Sequence, residues 1–444
     1  MRLHLDTVQN FLGLARSVPA ALVIDTQTSP GPLVRPWRSL AQGGEAPAYQ
    51  FTPVLPKLQA LQPEYIRLDH IYDFYEPMTR TDAGTLQYDW SKLDALLNQI
   101  TVAGAKPFLS LSYLPPTLAN GDITGIPQSW SAWQALVQAT IEHVSGTSGL
   151  NLTDVYYEVW NEPDLFGRWK TYGDKDYLTL YLYAARGAAA AKNVQPFRFG
   201  GPATSALYDN WLSRFFNHAA QNQLRLDFYS WHQYSAKPAE FFDDLVKFYK
   251  FLQAYPQYFS TVEPIISEWG LTSENHPFYD TEVAAAHTVA TMSLVTPAIK
   301  HAFVFEIQDG KDPAGQEFWG RWGLLTHQDF GSREKPRYQA LRLLNRLGPE
   351  RLDVSGFGTY VKALAAKDAA GAIQLLVTNY DPDGKNTETV PIQFTHLTPG
   401  AYHLTTEFLG RLPSNTLLAT TGATLSHSLP LAPNATALLT LSPQ

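Results

Sequence analysis

The chain contains no cysteine. Disulfides, thiol chemistry and thiolate metal sites are therefore excluded, but a protein without cysteine is stable in either redox setting, so no compartment follows. Basic clusters are missing too. A formal net charge of −8 and a pI near 5.8 argue against nucleic acid and against an anionic membrane surface as partners. No apolar run is long enough to span a bilayer, and the opening MRLHLDTVQNFLGLARSVPA lacks the apolar core of a signal peptide. A removed leader replaced by an initiator methionine would leave the same sequence; export makes the protein secreted or periplasmic, and its lack makes it cytoplasmic. Also missing are HExxH, a histidine pair on a helix face, a Walker loop, a GxSxG elbow and a glycine-rich dinucleotide turn. No metal and no cofactor are expected. Nothing in the sequence speaks to the oligomeric state.

What is present is a large apolar and aromatic chain. Its 444 residues are 45% hydrophobic, more than one ordinary domain needs. Aromatics reach 13%. They serve either a larger core or a sugar cleft, since pyranose C–H faces stack on aromatic rings. From about residue 20 to 347, β-like runs alternate with amphipathic helical stretches. After one strand not located more closely than before Phe51, the runs are 64–69, 106–114, 154–160, 197–202, 226–234, 264–269 and 301–307. This rhythm predicts an α/β chain with a parallel sheet, closed as a (β/α)8 TIM barrel over 15–348. An open doubly wound sheet is the alternative, but its phosphate turn is absent. Residues 349–444 read as short strands with turn signals, a C-terminal antiparallel β-sandwich module. Within it YDPDGKN has the look of a calcium loop but carries Ile392 where the twelfth-position glutamate belongs, so a hairpin turn is expected.

In such a barrel the chemistry sits at the C-terminal ends of the strands. VYYEVWNEPD ends the fourth strand on Glu162, and IISEWG ends the seventh on Glu268. Strands four and seven can face each other across the mouth. Two carboxylates there can flank one glycosidic bond, one protonated as acid and one ionised as nucleophile. The acid's pKa should be raised by burial and negative charge, and the nucleophile's held down by donors and cations.

VWNEPD, ISEWG and the tail FWGRWGLLT…KPRYQALRLLNRLG resemble glycoside hydrolase family 39, a group of retaining barrel glycosidases. Its members include β-xylosidases, α-L-iduronidases and bacterial enzymes that cut exopolysaccharides. The resemblance implies that Glu162 is the acid/base, Glu268 the nucleophile and Asn161 a donor to the sugar 2-hydroxyl. It further implies that Tyr234 donates to the nucleophile, with His232, on the same strand face, a subsite contact. Residues 1–14, RLHLDTV especially, would add a strand to the sandwich.

Two departures qualify the likeness. Where many members carry Arg-x-His on strand two, this chain reads YIRLDHIYD. Asp69 takes the histidine slot, His70 follows, and Arg67 shares a face with Asp69 for an ion pair under the nucleophile. On strand eight, Phe303 or Phe305 stands where xylosidase-like members carry a tryptophan platform.

Glu158 reads as a barrel-interior carboxylate paired with Arg67, and His218, His287 and His301 as structural or surface residues. Trp269 and Trp319 are expected to wall the cleft, and Tyr113 to shape the loop after strand three. The expected function is retaining hydrolysis of β-glycosidic bonds in a poly- or oligosaccharide, with carbohydrate as the partner. The missing platform and the long loops after strands three and eight favour endo cleavage. The alternatives are an exo-acting β-xylosidase or β-glucosidase, and a non-catalytic carbohydrate-binding barrel. The sandwich is expected to buttress the barrel, a glycan-binding module being the other reading.

Overall fold

A computed structural model of the chain describes residues 17–43, 50–81, 84–311, 314–317 and 320–444. It divides into two compact units, the first made of Val34–Tyr279 and Val295–Lys335. This unit is a closed barrel of eight strands: β1 (Ser39–Gln42), β2 (Tyr65–Leu68), β3 (Lys106–Ser110), β4 (Val155–Glu158), β5 (Phe197–Thr204), β6 (Phe228–Tyr234), β7 (Glu263–Gly270) and β8 (His301–Phe305). All eight neighbour pairs are parallel. The strand expected before Phe51 is β1.

The helices between them follow the apolar spacing. Trp130–Val144 buries Trp133, Leu136, Val137, Thr140, Ile141 and Val144 along one stripe, and Ser129 caps its start by accepting from the Ala132 N–H at 3.2 Å. Tyr177–Ala190 starts at Asp176, which accepts from the Leu178 N–H at 3.0 Å.

Alternating strand side chains fill the barrel. Tyr65, Phe108, Tyr156, Phe228, Ile265 and Phe303 form an apolar plug, with Phe108 and Phe303 ring centroids 4.5 Å apart. Fully burying such a side chain is worth roughly 1.5–3 kcal/mol. Two residues further along the same face stand Arg67, Ser110, Glu158 and Ser230, all fully buried. An aromatic layer thus floors a polar one at the C-terminal ends.

One irregularity sets the site. Between β6 and β7, Trp231 pairs with Ile266, but His232 pairs with Glu268. Ser267 is the extra residue of a bulge, which bends a strand and re-aims the side chains beyond it. From Ile265 in the plug, plain alternation would turn Trp269 inward and Glu268 outward; the bulge reverses this.

The second unit comprises the described residues before Val34 with Asp280–Leu294 and Pro336–Gln444. It holds a ten-stranded sheet. Leu22, Val361, Leu375, Ile392, Leu404, Leu429 and Leu439, from strands spread across the sheet, share one apolar cluster, so the sheet wraps around a single core. The strands of residues 349–444 pair antiparallel, as expected, and Leu22–Asp25 joins them parallel to Glu388–Thr395. Two expectations need correction. The barrel does not begin at residue 15, because Leu22–Asp25 is a strand of this sheet. YDPDGKN is no hairpin, because the strands it joins, Ile373–Asn379 and Glu388–Thr395, pair with other partners. Asp381 instead knots the loop, accepting from the Lys385 and Asn386 N–H groups at 2.7 Å each. The strand expected within residues 1–14 lies outside the described residues.

Candidate active site

The chain leaves β4 through a strained turn. Trp160 (φ 75°) and Glu162 (φ 42°) are both left-handed, at a cost of roughly 1–3 kcal/mol each. Neighbouring strands hold it there. The Val159 N–H donates to Gly200 O and the Glu162 N–H to Ala203 O, each at 2.9 Å, and Ser110 Oγ donates to Trp160 O at 2.7 Å. This delivers Asn161 and Glu162 to the mouth of a cavity of about 810 Å³ that Glu268 also lines.

Arg67 is fully buried beneath that cavity, and its guanidinium is shared three ways. Nε donates to Glu158 Oε2 at 2.8 Å, Nη1 to Glu268 Oε1 at 2.7 Å and Nη2 to Asn161 Oδ1 at 2.7 Å. Burial works against its charge, but Glu158 and Glu268 outweigh burial and hold it protonated. The expected Arg67–Glu158 pair is present. The expected partner Asp69 lines the cavity and adds negative charge to this cluster.

Tyr234 OH donates to the other Glu268 oxygen at 2.9 Å. Burial, with the Glu268 charge, pushes this phenol well up, so it remains a donor. Glu268 was expected to be held down. Burial instead pushes it up from the ordinary carboxylate value, His232 and Arg67 pull it back, and Glu162 and Asp69 add to the rise. His232 Nδ1 lies 2.8 Å from Glu162 Oε1 and 3.4 Å from Glu268 Oε2. Burial disfavours its charge, yet the Glu268 and Glu162 carboxylates outweigh that and raise its pKa. With a proton on Nδ1, His232 donates to Oε1 of Glu162.

Glu162, His232 and Glu268 offer ligand atoms within 4.8 Å of one another. A divalent ion could use such a set, but Arg67 already brings a cation to 2.7 Å from Glu268.

The other expected residues divide. Asp69, His70, Asn161 and Tyr234 line the cavity. His70 is held by Asp73 Oδ2 at 2.7 Å and stacked on Phe74 at 4.3 Å. Arg67 and His232 have no exposed surface, and their guanidinium and ring nitrogens meet the carboxylates beneath the cavity. Tyr113 is buried and orients Asn161, whose Nδ2 donates to its hydroxyl at 3.1 Å. Trp269 is no cleft wall. The Ser267 bulge turns it outward, where Nε1 donates to Ala302 O at 3.1 Å and the ring packs on Phe241. Trp319 lies outside the described residues.

The sequence reading missed Leu165 and Phe166 at the rim, 55% and 44% exposed, whose signal was two large apolar residues straight after the NEPD turn. It missed Ser205, Gln233 and Glu274 in the lining, which no local pattern marks. It also left Trp322 out of the site. Half-buried, Trp322 lines the cavity beside Phe305, ring centroids 5.9 Å apart. A tryptophan therefore does reach the site, from the loop after β8.

A closed parallel barrel carrying one glutamate just after β4 and another on β7 is the framework of a glycoside hydrolase. Residues 22–404 match the family model described as glycosyl hydrolases family 39, and the chain belongs to that family. It is 28% identical over 323 residues to a beta-xylosidase of Caldicellulosiruptor saccharolyticus, covering 66% of this chain and 63% of that protein. It is 26% identical over 296 residues to a beta-xylosidase of Geobacillus stearothermophilus, covering 60% of this chain and 57% of that protein. The chain thus spans less than two thirds of the length of either relative. Among solved structures it is similar to a monomeric beta-xylosidase from Caulobacter crescentus, with a TM-score of 0.79, 21% identity, and 96% and 99% of the two chains covered. A GH39 enzyme from Xanthomonas axonopodis pv. citri gives 0.79 and 21% over 97% and 99%. At that identity the likeness carries the fold.

Proposed function

We propose that this protein is a retaining, exo-acting β-glycosidase of β-xylosidase type, with Glu268 as nucleophile and Glu162 as acid/base. One observation carries the chemistry: the two carboxylates offer oxygens within 4.8 Å of each other across the cavity. An oxygen pair that close favours the short carboxyl spacing of direct attack, roughly 5–5.5 Å, over the wider inverting arrangement of roughly 6.5–9.5 Å. Glu268 attacks the anomeric carbon while Glu162 protonates the leaving oxygen. Glu162 then takes a proton from water, which releases the sugar from Glu268. Asn161 lines the cavity, and its Nδ2 carries a second N–H besides the one given to Tyr113, which can donate to the substrate. A hydroxyl bond there strengthens as charge builds at the ring, so it favours the transition state.

Exo action is supported by the two β-xylosidase relatives and by Trp322. With Trp322 and Phe305 in the wall, the missing platform no longer argues for endo cleavage. The second reading, cleavage within a polymer, has the exposed Leu165 and Phe166 in its favour as contacts for further sugars. Product sizing by mass spectrometry decides. Incubation with aryl glycosides, β-linked oligosaccharides and soluble β-glycans should release single sugars from chain ends. Products of several sizes from a polymer would overturn exo action, and binding without any product would support the non-catalytic barrel.

A further inference from the structure

The loop that brings Trp322 to the cavity is built around a buried ion pair. Lys335 Nζ donates to both Asp309 carboxylate oxygens at 3.0 Å and to Arg321 O at 2.8 Å. Both side chains are almost wholly buried, 4% and 0% exposed. Asp309 Oδ1 also accepts from the Gly323 N–H at 2.7 Å. The ion pair therefore grips the backbone on either side of Trp322. Two further bonds to the end of β8 complete the grip: the Glu306 N–H donates to Trp322 O at 3.0 Å, and the Leu324 N–H to Glu306 O at 2.8 Å.

The backbone gripped in this way is strained and tight. Arg321 is left-handed (φ 61°), a conformation uncommon for a residue with a Cβ. A Cβ on Gly323 would meet the Asp309 backbone N at 2.3 Å and its Oδ1 at 2.6 Å, so glycine alone permits the approach. Such geometry persists only where its surroundings over-determine it. A buried ion pair is a poor source of stability compared with apolar packing, but its directional bonds can specify one conformation.

We infer that Asp309 and Lys335 are positioning residues for substrate binding: their ion pair fixes the segment 321–323 so that Trp322 stands as an aromatic face against the sugar. This rests on the cavity being the glycoside site. It adds a determinant of affinity that touches neither substrate nor the two glutamates.

The test is a double-mutant cycle on an aryl β-xyloside, reading KM and kcat separately. Trp322→Ala should raise KM about tenfold, the scale of one lost ring contact. Lys335→Met should raise KM by a similar factor with kcat within about twofold, and should add nothing in the Trp322→Ala background. Should Lys335→Met fail to fold, the pair Asp309→Asn with Lys335→Met carries the same test, because it leaves no buried charge unpaired. Effects that multiply in the combined variant, or a KM unmoved by Lys335→Met, overturn the inference. A KM unmoved by Trp322→Ala removes the aromatic face itself, and the inference falls with it. An enzyme inactive on every glycoside refutes the functional reading instead, before the cycle begins.

Discussion

Tyr234→Phe removes one hydrogen bond and little else. The phenol donates to Glu268 Oε2 at 2.9 Å, and its ring stays in place edge-on to Phe305 at 6.4 Å. A hydrogen bond to a charged group contributes about 1.5–3 kcal/mol. At 1.36 kcal/mol per decade, its loss should slow the affected step by about 10- to 150-fold. On the proposed double displacement, the two steps should not share the loss equally. In the first, Glu268 gives up negative charge as it bonds to the sugar, so a donor that favours the carboxylate does little for attack. In the second, Glu268 leaves as a carboxylate and needs the donor. Release of the sugar should therefore become rate-limiting. Rapid mixing with an aryl β-xyloside bearing a good leaving group should show a burst of aryl alcohol, one per enzyme, then a slow steady rate. Intact mass during turnover should show one sugar bound. Equal slowing of both steps without a burst, or an unchanged rate, would refute the reasoning.

Asp69→Asn removes a negative charge that helps raise Glu268. As the proposed nucleophile, Glu268 must be ionised to attack, so the acid limb of kcat/KM should move to lower pH; an unmoved or raised limb would contradict the assignment. His301 is pushed down to about 4 by burial, with Lys300 adding to the fall. The unfolded chain therefore takes up this proton first as pH falls, and stability present above about pH 6.5 is lost towards pH 4, by roughly 3 kcal/mol. Denaturant curves of His301→Asn should lack that part of the wild-type decline. Arg67→Met leaves Glu158 and Glu268 without their shared cation. It should cost about 3–5 kcal/mol in the same curves and abolish turnover.

The strand–helix rhythm was legible because strands such as Tyr65–Leu68, Val155–Glu158 and His301–Phe305 are short, mostly apolar runs buried on both faces and closed off by turn residues. Glu162 and Glu268 were legible because NEPD and SEWG interrupt such runs with a carboxylate. Trp269 was misread for a physical reason: Glu268 faces inward only through the Ser267 bulge, and a bulge depends on the neighbouring strand's register, which no short pattern records. Trp322 was missed because it reaches the cavity from a loop fixed by Asp309 and Lys335, two residues whose meeting is a fact of the fold. Leu22–Asp25 was given to the barrel because its partners, Glu350–Ser355 and Glu388–Thr395, lie more than three hundred residues away.

The central claim is that Glu268 bonds to the sugar. It is tested most directly by incubating the protein with an activated 2-deoxy-2-fluoro-β-xyloside, whose fluorine slows the release step, and mapping the adduct by peptide mass spectrometry. The account predicts one sugar per chain, on Glu268, with labelling abolished in Glu268→Gln. A label on another residue, or turnover with inverted anomeric configuration and no adduct, would contradict it.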